Sequence, residues 1–123
     1  MLFCLPVIVS CGDLKKKEEH TGNNFKAVML VEGEAIFKQN CTQCHTIGGG
    51  TLIGPDLKGI TNKRKKDWIK KFTNNSAELI KSGDKDAIAV WEEFNKLAMT
   101  SYLFSDEEFE AIYSYLKSKD INS

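Results

Sequence analysis

Residues 41–45 read Cys41-Thr42-Gln43-Cys44-His45, and no other feature constrains the chain as strongly. Two thiols three positions apart, followed at once by an imidazole, form the C-x-x-C-H haem-attachment pattern. Each thiol can form a thioether to one vinyl group of the same porphyrin. His45 then lies under the iron and offers a ring nitrogen as axial ligand. Other uses of a C-x-x-C pair find little support. A zinc site needs two more ligands at compatible spacing, but the remaining cysteines are Cys4 and Cys11 and the remaining histidine is His20. A thioredoxin-like redox pair wants a βαβ context, and the flanks here are helical or Gly-rich. At 123 residues the chain makes one domain with one modest core. With 17 Lys+Arg against 17 Asp+Glu the net charge is 0, which argues against a nucleic-acid binder.

The segment before the motif has two parts. Residues 1–10 are uncharged and largely apolar and end in Ser10, the shape of a secretory signal. Ile8-Val9-Ser10-Cys11 resembles a bacterial lipoprotein cleavage box, which implies a lipid on Cys11. No Lys or Arg precedes the apolar run, a departure that leaves room for a start further upstream. Residues 11–27 are rich in Lys, Glu, Gly and Asn and read as a flexible, solvated tether. A lipid at one end of a tether and a folded domain over residues 28–120 at the other is a coherent organisation.

Within the domain, Phe109, Ile112, Tyr113 and Leu116 recur at i, i+3, i+4 and i+7, an amphipathic helix signal. Ser105 and Glu108 supply its capping box. Asp84 can cap a helix over residues 85–96 on which Ile88, Trp91 and Asn95 share a face. Trp68 and Phe72, four apart on a helix, face the haem or the core. The indole N–H of Trp68 is polar enough to reach a haem propionate. Gly48-Gly49-Gly50 is an approach loop, not a phosphate cradle, since no Lys-Ser/Thr follows and no strand precedes it.

Iron held by His45 alone has an open position, and a Met thioether there gives a low-spin carrier with a raised potential. Met99 is the only methionine after the motif, 54 residues beyond His45 and between two predicted helices.

Residues 29–118 as a whole resemble a class I cytochrome c domain. The likeness rests on Val31 to Asn40 leading into Cys41, on Gly54-Pro55-Asp56-Leu57, on Met99, and on the last helix from Ser105 to Lys117. It implies an all-α class I cytochrome c fold, four to five helices around one covalently attached haem c. It further implies that the first and last helices cross at Gly33, Phe37 and Tyr115. The Pro55 carbonyl would accept a hydrogen bond from the axial imidazole, and Met99 would be the second axial ligand. The cofactor-binding set expected is thus Cys41, Cys44, His45, Met99, Pro55 and Trp68, with His45 and Met99 on iron. Thr100 stands where the family often has Pro.

The function implied is single-electron transfer, not catalysis, with no small-molecule substrate and no nucleic acid. The expected site is the periplasmic side of a bacterial membrane, after export, with lipid anchoring. The expected partners are a quinol-oxidising donor and a terminal oxidase or nitrogen-oxide reductase. The alternative is a peroxidase-like haem enzyme or gas sensor, which needs an open sixth position. Met99 and the single haem motif argue against it. Charge is also uneven: residues 58–71 carry a balance of +6 and residues 84–110 a balance of −6. Such polarity can orient a redox partner.

Overall fold

A computed structural model of the chain describes residues 15–122, with side chains from Gly22 onward. Its helices are α1 (Lys15–Asn40), α2 (Ile60–Lys63), α3 (Lys66–Lys81), α4 (Lys85–Glu93) and α5 (Asp106–Ile121). The described residues contain no strand, so the architecture is the expected all-α one. The apolar start, Cys11 and the first residues after it lie outside the described residues.

The fold is organised by the crossing of α1 and α5. A Cβ on Gly33 would lie 2.0 Å from the Ala111 carbonyl oxygen and 3.0 Å from the Tyr115 Cβ. Only a residue without a side chain lets the two backbones come this close. One turn on, the Phe37 and Tyr115 rings meet with centroids 5.5 Å apart. The core continues through Phe37, Cys41, Ile112, Tyr115 and Leu116, with Ile36, Ile47, Leu57, Ile60 and Phe104 packed against it. Burying each large apolar side chain stabilises by about 1.5–3 kcal/mol.

Both ends of α5 are fixed. Ser105 and Glu108 form the expected capping box, with N–H···O distances of 3.1 and 2.8 Å. Near the other end, the Asp120 carboxylate accepts from the Gly59 and Thr61 N–H groups at 2.6 and 3.0 Å. It therefore holds the start of α2, where Gly59 takes a left-handed φ of 77°. Tyr113, expected on the buried face, is only half-buried, while Ala111 and Tyr115 are buried. The core stripe turns toward α1 because Gly33 admits a small residue there. Tyr113 instead lies beside Lys66.

Three expectations are corrected. Residues 15–27, read as part of a flexible tether, are helical and continuous with α1. Lys and Glu are good helix formers, and extending a helix already nucleated by packing is far easier than starting one. Phe25, Val28 and Val31 on this stretch and just beyond it are exposed. The helix capped by Asp84 ends at Glu93, short of Asn95. Asn95 and Lys96 both take φ of 58°, and the Lys96 N–H closes the turn on the Trp91 carbonyl at 2.8 Å. Asn tolerates that left-handed geometry, so the chain turns out of the helix there. Finally, the opposed charge runs pair with each other. Arg64 meets Asp86, Lys66 meets Glu110, and Lys70 meets Asp106. Pairing of α3 with α5, and of Arg64 at the end of α2 with α4, cancels part of the polarity that the sequence suggests.

Candidate haem site

The motif grows out of the end of α1. The Cys41 N–H donates to the Phe37 carbonyl at 2.8 Å, and the Cys44 and His45 N–H groups both donate to the Cys41 carbonyl, at 3.2 and 2.9 Å. Both thiols and the imidazole thus sit on one turn. Cys41 belongs to the core, and burial, with the Cys44 thiol beside it, pushes its thiol up to about 11. Cys41 and Cys44 are free thiols, not a disulfide.

The His45 ring is fixed from two sides. Its Nδ1 lies 2.9 Å from the Pro55 carbonyl oxygen. That carbonyl can only accept, so Nδ1 carries the proton and the Nε2 lone pair is left available. On another side the ring packs on Gly54, where a Cβ would come within 2.5 Å of Cε1 and 2.9 Å of Nδ1. The Gly54 N–H returns to the Cys44 carbonyl at 2.7 Å. The Asp56 carboxylate accepts from the N–H groups of Gly48, Gly50 and Lys58 at 2.7, 2.9 and 2.9 Å. These three bonds hold its carboxyl below the usual carboxylate range.

Met99 lies on an irregular strand of chain, with no sheet pairing, between α4 and α5 and is half-buried. Its carbonyl accepts from the Ser76 hydroxyl at 2.9 Å. Three residues on, the Tyr102 hydroxyl donates to the Asn40 carbonyl at 2.9 Å. The strand therefore runs beside the haem-attachment turn, with about 10 Å of chain between Met99 and Tyr102. Burial, and then the nearby Cys41 and Cys44 sulfurs, raise the Tyr102 hydroxyl above its ordinary value.

Trp68 does not join this group. Its indole N–H, expected to reach a haem propionate, donates to Asp84 at 3.0 Å instead. Its ring stacks on Phe72 at 4.9 Å, with the Arg64 guanidinium 4.8 Å above it. Asp84 is already placed as the cap of α4, accepting from the Ala87 N–H at 2.8 Å, and α4 folds back beside α3 so that the cap meets the indole.

Gly54, Ser76 and Tyr102 complete the surroundings. Gly54 was visible only as part of the Gly-Pro pair. Nothing in the sequence singles out Ser76, Tyr102 or Asn74. The Asn74 side-chain oxygen is buried without a hydrogen-bond partner among the described residues. An unpaired buried amide costs about 1–3 kcal/mol. Among the described residues no three His, Cys, Asp or Glu gather to hold a bare metal ion. Two free thiols on one turn and an imidazole with Nε2 available fit haem c.

The family model for cytochrome c matches residues 30–120. The chain belongs to the cytochrome c family, and its described architecture is the class I fold. Cytochrome c from Rhodothermus marinus superposes with a TM-score of 0.72 at 28% identity, over 79% of this chain and 81% of that one. The cytochrome c domain of a Pseudomonas putida protein gives a TM-score of 0.64 at 31% identity, over 72% and 88% of the two chains. A cytochrome c-550-like protein of Thermosynechococcus vestitus is 45% identical over 47 residues, 32% of this chain. That match spans only 26% of the relative's length. A domain of this family holds haem c covalently. Among the described residues no helix is long and apolar enough to cross a membrane.

Proposed function

We propose that the protein is a single-electron carrier whose haem iron is held between His45 and Met99, with Cys41 and Cys44 as the thioether anchors. The observation that carries this reading is the 2.9 Å contact between His45 Nδ1 and the Pro55 carbonyl. It sets one tautomer, with Nε2 left as the ligating nitrogen. When bound, the haem supplies a one-electron ferric–ferrous couple. The chain's residues fix the imidazole, surround it with the apolar side chains of α1 and α5, and supply Met99 as a thioether that raises the potential. No substrate bond is made or broken.

The proposal extends to place and partners. The apolar start, the Ile8-Val9-Ser10-Cys11 box and the Lys-rich stretch after it support export and a lipid on Cys11, holding the domain at the periplasmic face of a membrane. Residues 15–27, as helix, set a spacer of about 20 Å. A carrier so placed shuttles between a quinol-oxidising donor and a terminal oxidase or nitrogen-oxide reductase.

The test is the optical spectrum of the purified, reduced, haem-loaded protein with and without carbon monoxide. A low-spin spectrum that ignores the gas is expected. A high-spin spectrum that shifts with the gas would favour an enzyme or sensor with an open iron position. Met99→Ala should keep the haem attached, admit carbon monoxide and lower the reduction potential; an unchanged potential removes Met99 from the site.

A further inference from the structure

The break in α3 has a use. Asn75 leaves the helix with φ −161° and ψ 84°, and its side chain restarts the helix by accepting from the Glu78 N–H at 3.1 Å. In an unbroken helix the Thr73 carbonyl would be taken by the N–H four residues on, and a Ser hydroxyl commonly bonds back to its own helix. Here both are turned outward to one strand. The Thr73 carbonyl accepts from the Tyr102 N–H at 3.1 Å. The Ser76 hydroxyl donates to the Met99 carbonyl at 2.9 Å. Ser76 has no exposed surface at all, unusual for a residue type that is mostly exposed, and a buried hydroxyl is kept only when it is bonded.

The strand they meet is otherwise lightly held. Leu97 and Leu103 are 60% and 92% exposed, and Ala98, Thr100 and Ser101 are exposed between them. Among the described residues, the one backbone–backbone hydrogen bond from residues 98–104 is that of Tyr102 to Thr73. Segments with few buried contacts open locally at low free energy.

We propose that Ser76 is a positioning residue for Met99, and that Ser76 and Tyr102 form a two-point clasp that controls how often the Met99 strand opens. Tyr102 provides the second point through its N–H on Thr73 and its hydroxyl on Asn40, next to Cys41. The inference rests on Met99 being the second axial ligand.

The experiment uses the haem-loaded full chain. The readouts are the rate of carbon monoxide binding to the reduced protein and the sulfur-to-iron charge-transfer band of the oxidised protein. Ser76→Ala should bind carbon monoxide about twofold to tenfold faster, the factor set by one hydrogen bond of ordinary net worth, and weaken the band. Tyr102→Phe should act in the same direction, and the double variant should exceed either. Asp120→Asn, which loosens the anchor of α2 on α5 without touching the strand, should leave both readouts at wild-type values. A Ser76→Ala protein whose rate and band match a six-coordinate wild type overturns the clasp alone. If Ser76→Ala does not load haem, an unchanged Tyr102→Phe does the same. A wild type that binds carbon monoxide at once and shows no band overturns the Met99 reading and the clasp with it.

Discussion

The loop that carries His45 and the strand that carries Met99 are built on opposite principles. The His45 loop is pinned from several directions: Gly54 lies against the ring, the Pro55 carbonyl meets Nδ1, and Asp56 gathers three backbone N–H groups. It continues directly from α1, whose crossing with α5 is apolar and tight. The Met99 strand follows a left-handed turn at Asn95 and Lys96 and is exposed over much of its length. What holds it comes largely from Ser76, Thr73 and Asn40. One side is fixed by close packing, which resists small displacements everywhere. The other hangs on a few hydrogen bonds, each worth only about 1 kcal/mol net. If Met99 is the second ligand, as proposed, perturbations that release it should leave His45 in place.

The contrast can be broken or sharpened by substitution. The largest effect belongs to the crossing itself. Gly33→Ala places a methyl 2.0 Å from the Ala111 carbonyl oxygen, and backbone cannot yield as a flexible side chain does. A loss of about 3 kcal/mol, the upper end of ordinary overpacking, is expected in denaturant unfolding of the haem-loaded protein. A wild-type midpoint would mean that the helices slide at little cost. Next is Gly54→Ala, whose methyl meets the His45 ring at 2.5 Å. The expectation is a destabilisation of about 1–3 kcal/mol together with a shifted reduction potential. A change in stability with no change in potential would show that the ring moves without altering its bond to iron.

Smaller effects are expected on the Met99 side. Tyr102→Phe keeps the ring and removes one hydrogen bond, so global stability should fall by about 1 kcal/mol. Loss of stability equal to that of Gly33→Ala would erase the distinction between the two sides. The smallest effect is the pH response of the His45 loop. The Asp56 carboxyl is depressed by its three N–H donors, so its contribution is complete above the ordinary Asp value of about 3.9. It is lost as pH falls through the lower folded value. Exchange of the Gly48 and Gly50 amides should accelerate in that acid range. In Asp56→Asn the exchange should be faster already at neutral pH and lack the acid step.

The elements legible in the sequence were those written in local chemistry. Ser105 and Glu108 announce the start of α5, Asp84 that of α4, and the C-x-x-C-H spacing the cofactor. The apolar period of α5 was legible too, though Tyr113 was placed on the wrong side of its edge. What failed did so where distant groups competed for one partner. The indole of Trp68 could as well have met a propionate; that it meets Asp84 depends on α4 folding back beside α3. The helical state of residues 15–27 depends on an α1 already packed on α5.

The sequence by itself determined a haem-attachment pattern at Cys41, Cys44 and His45, and set one methionine, Met99, after it. Those assignments rest on residue type and spacing, which are local. Only the tertiary structure decided how firmly each part is held. The 2.9 Å Pro55 contact, the fit of Gly54 on the His45 ring and the turn of Ser76 toward Met99 join residues 10, 9 and 23 positions apart. No local propensity encodes such pairings, because they exist only once α1, α3 and α5 have packed and the burial of one polar group has compelled it to find another.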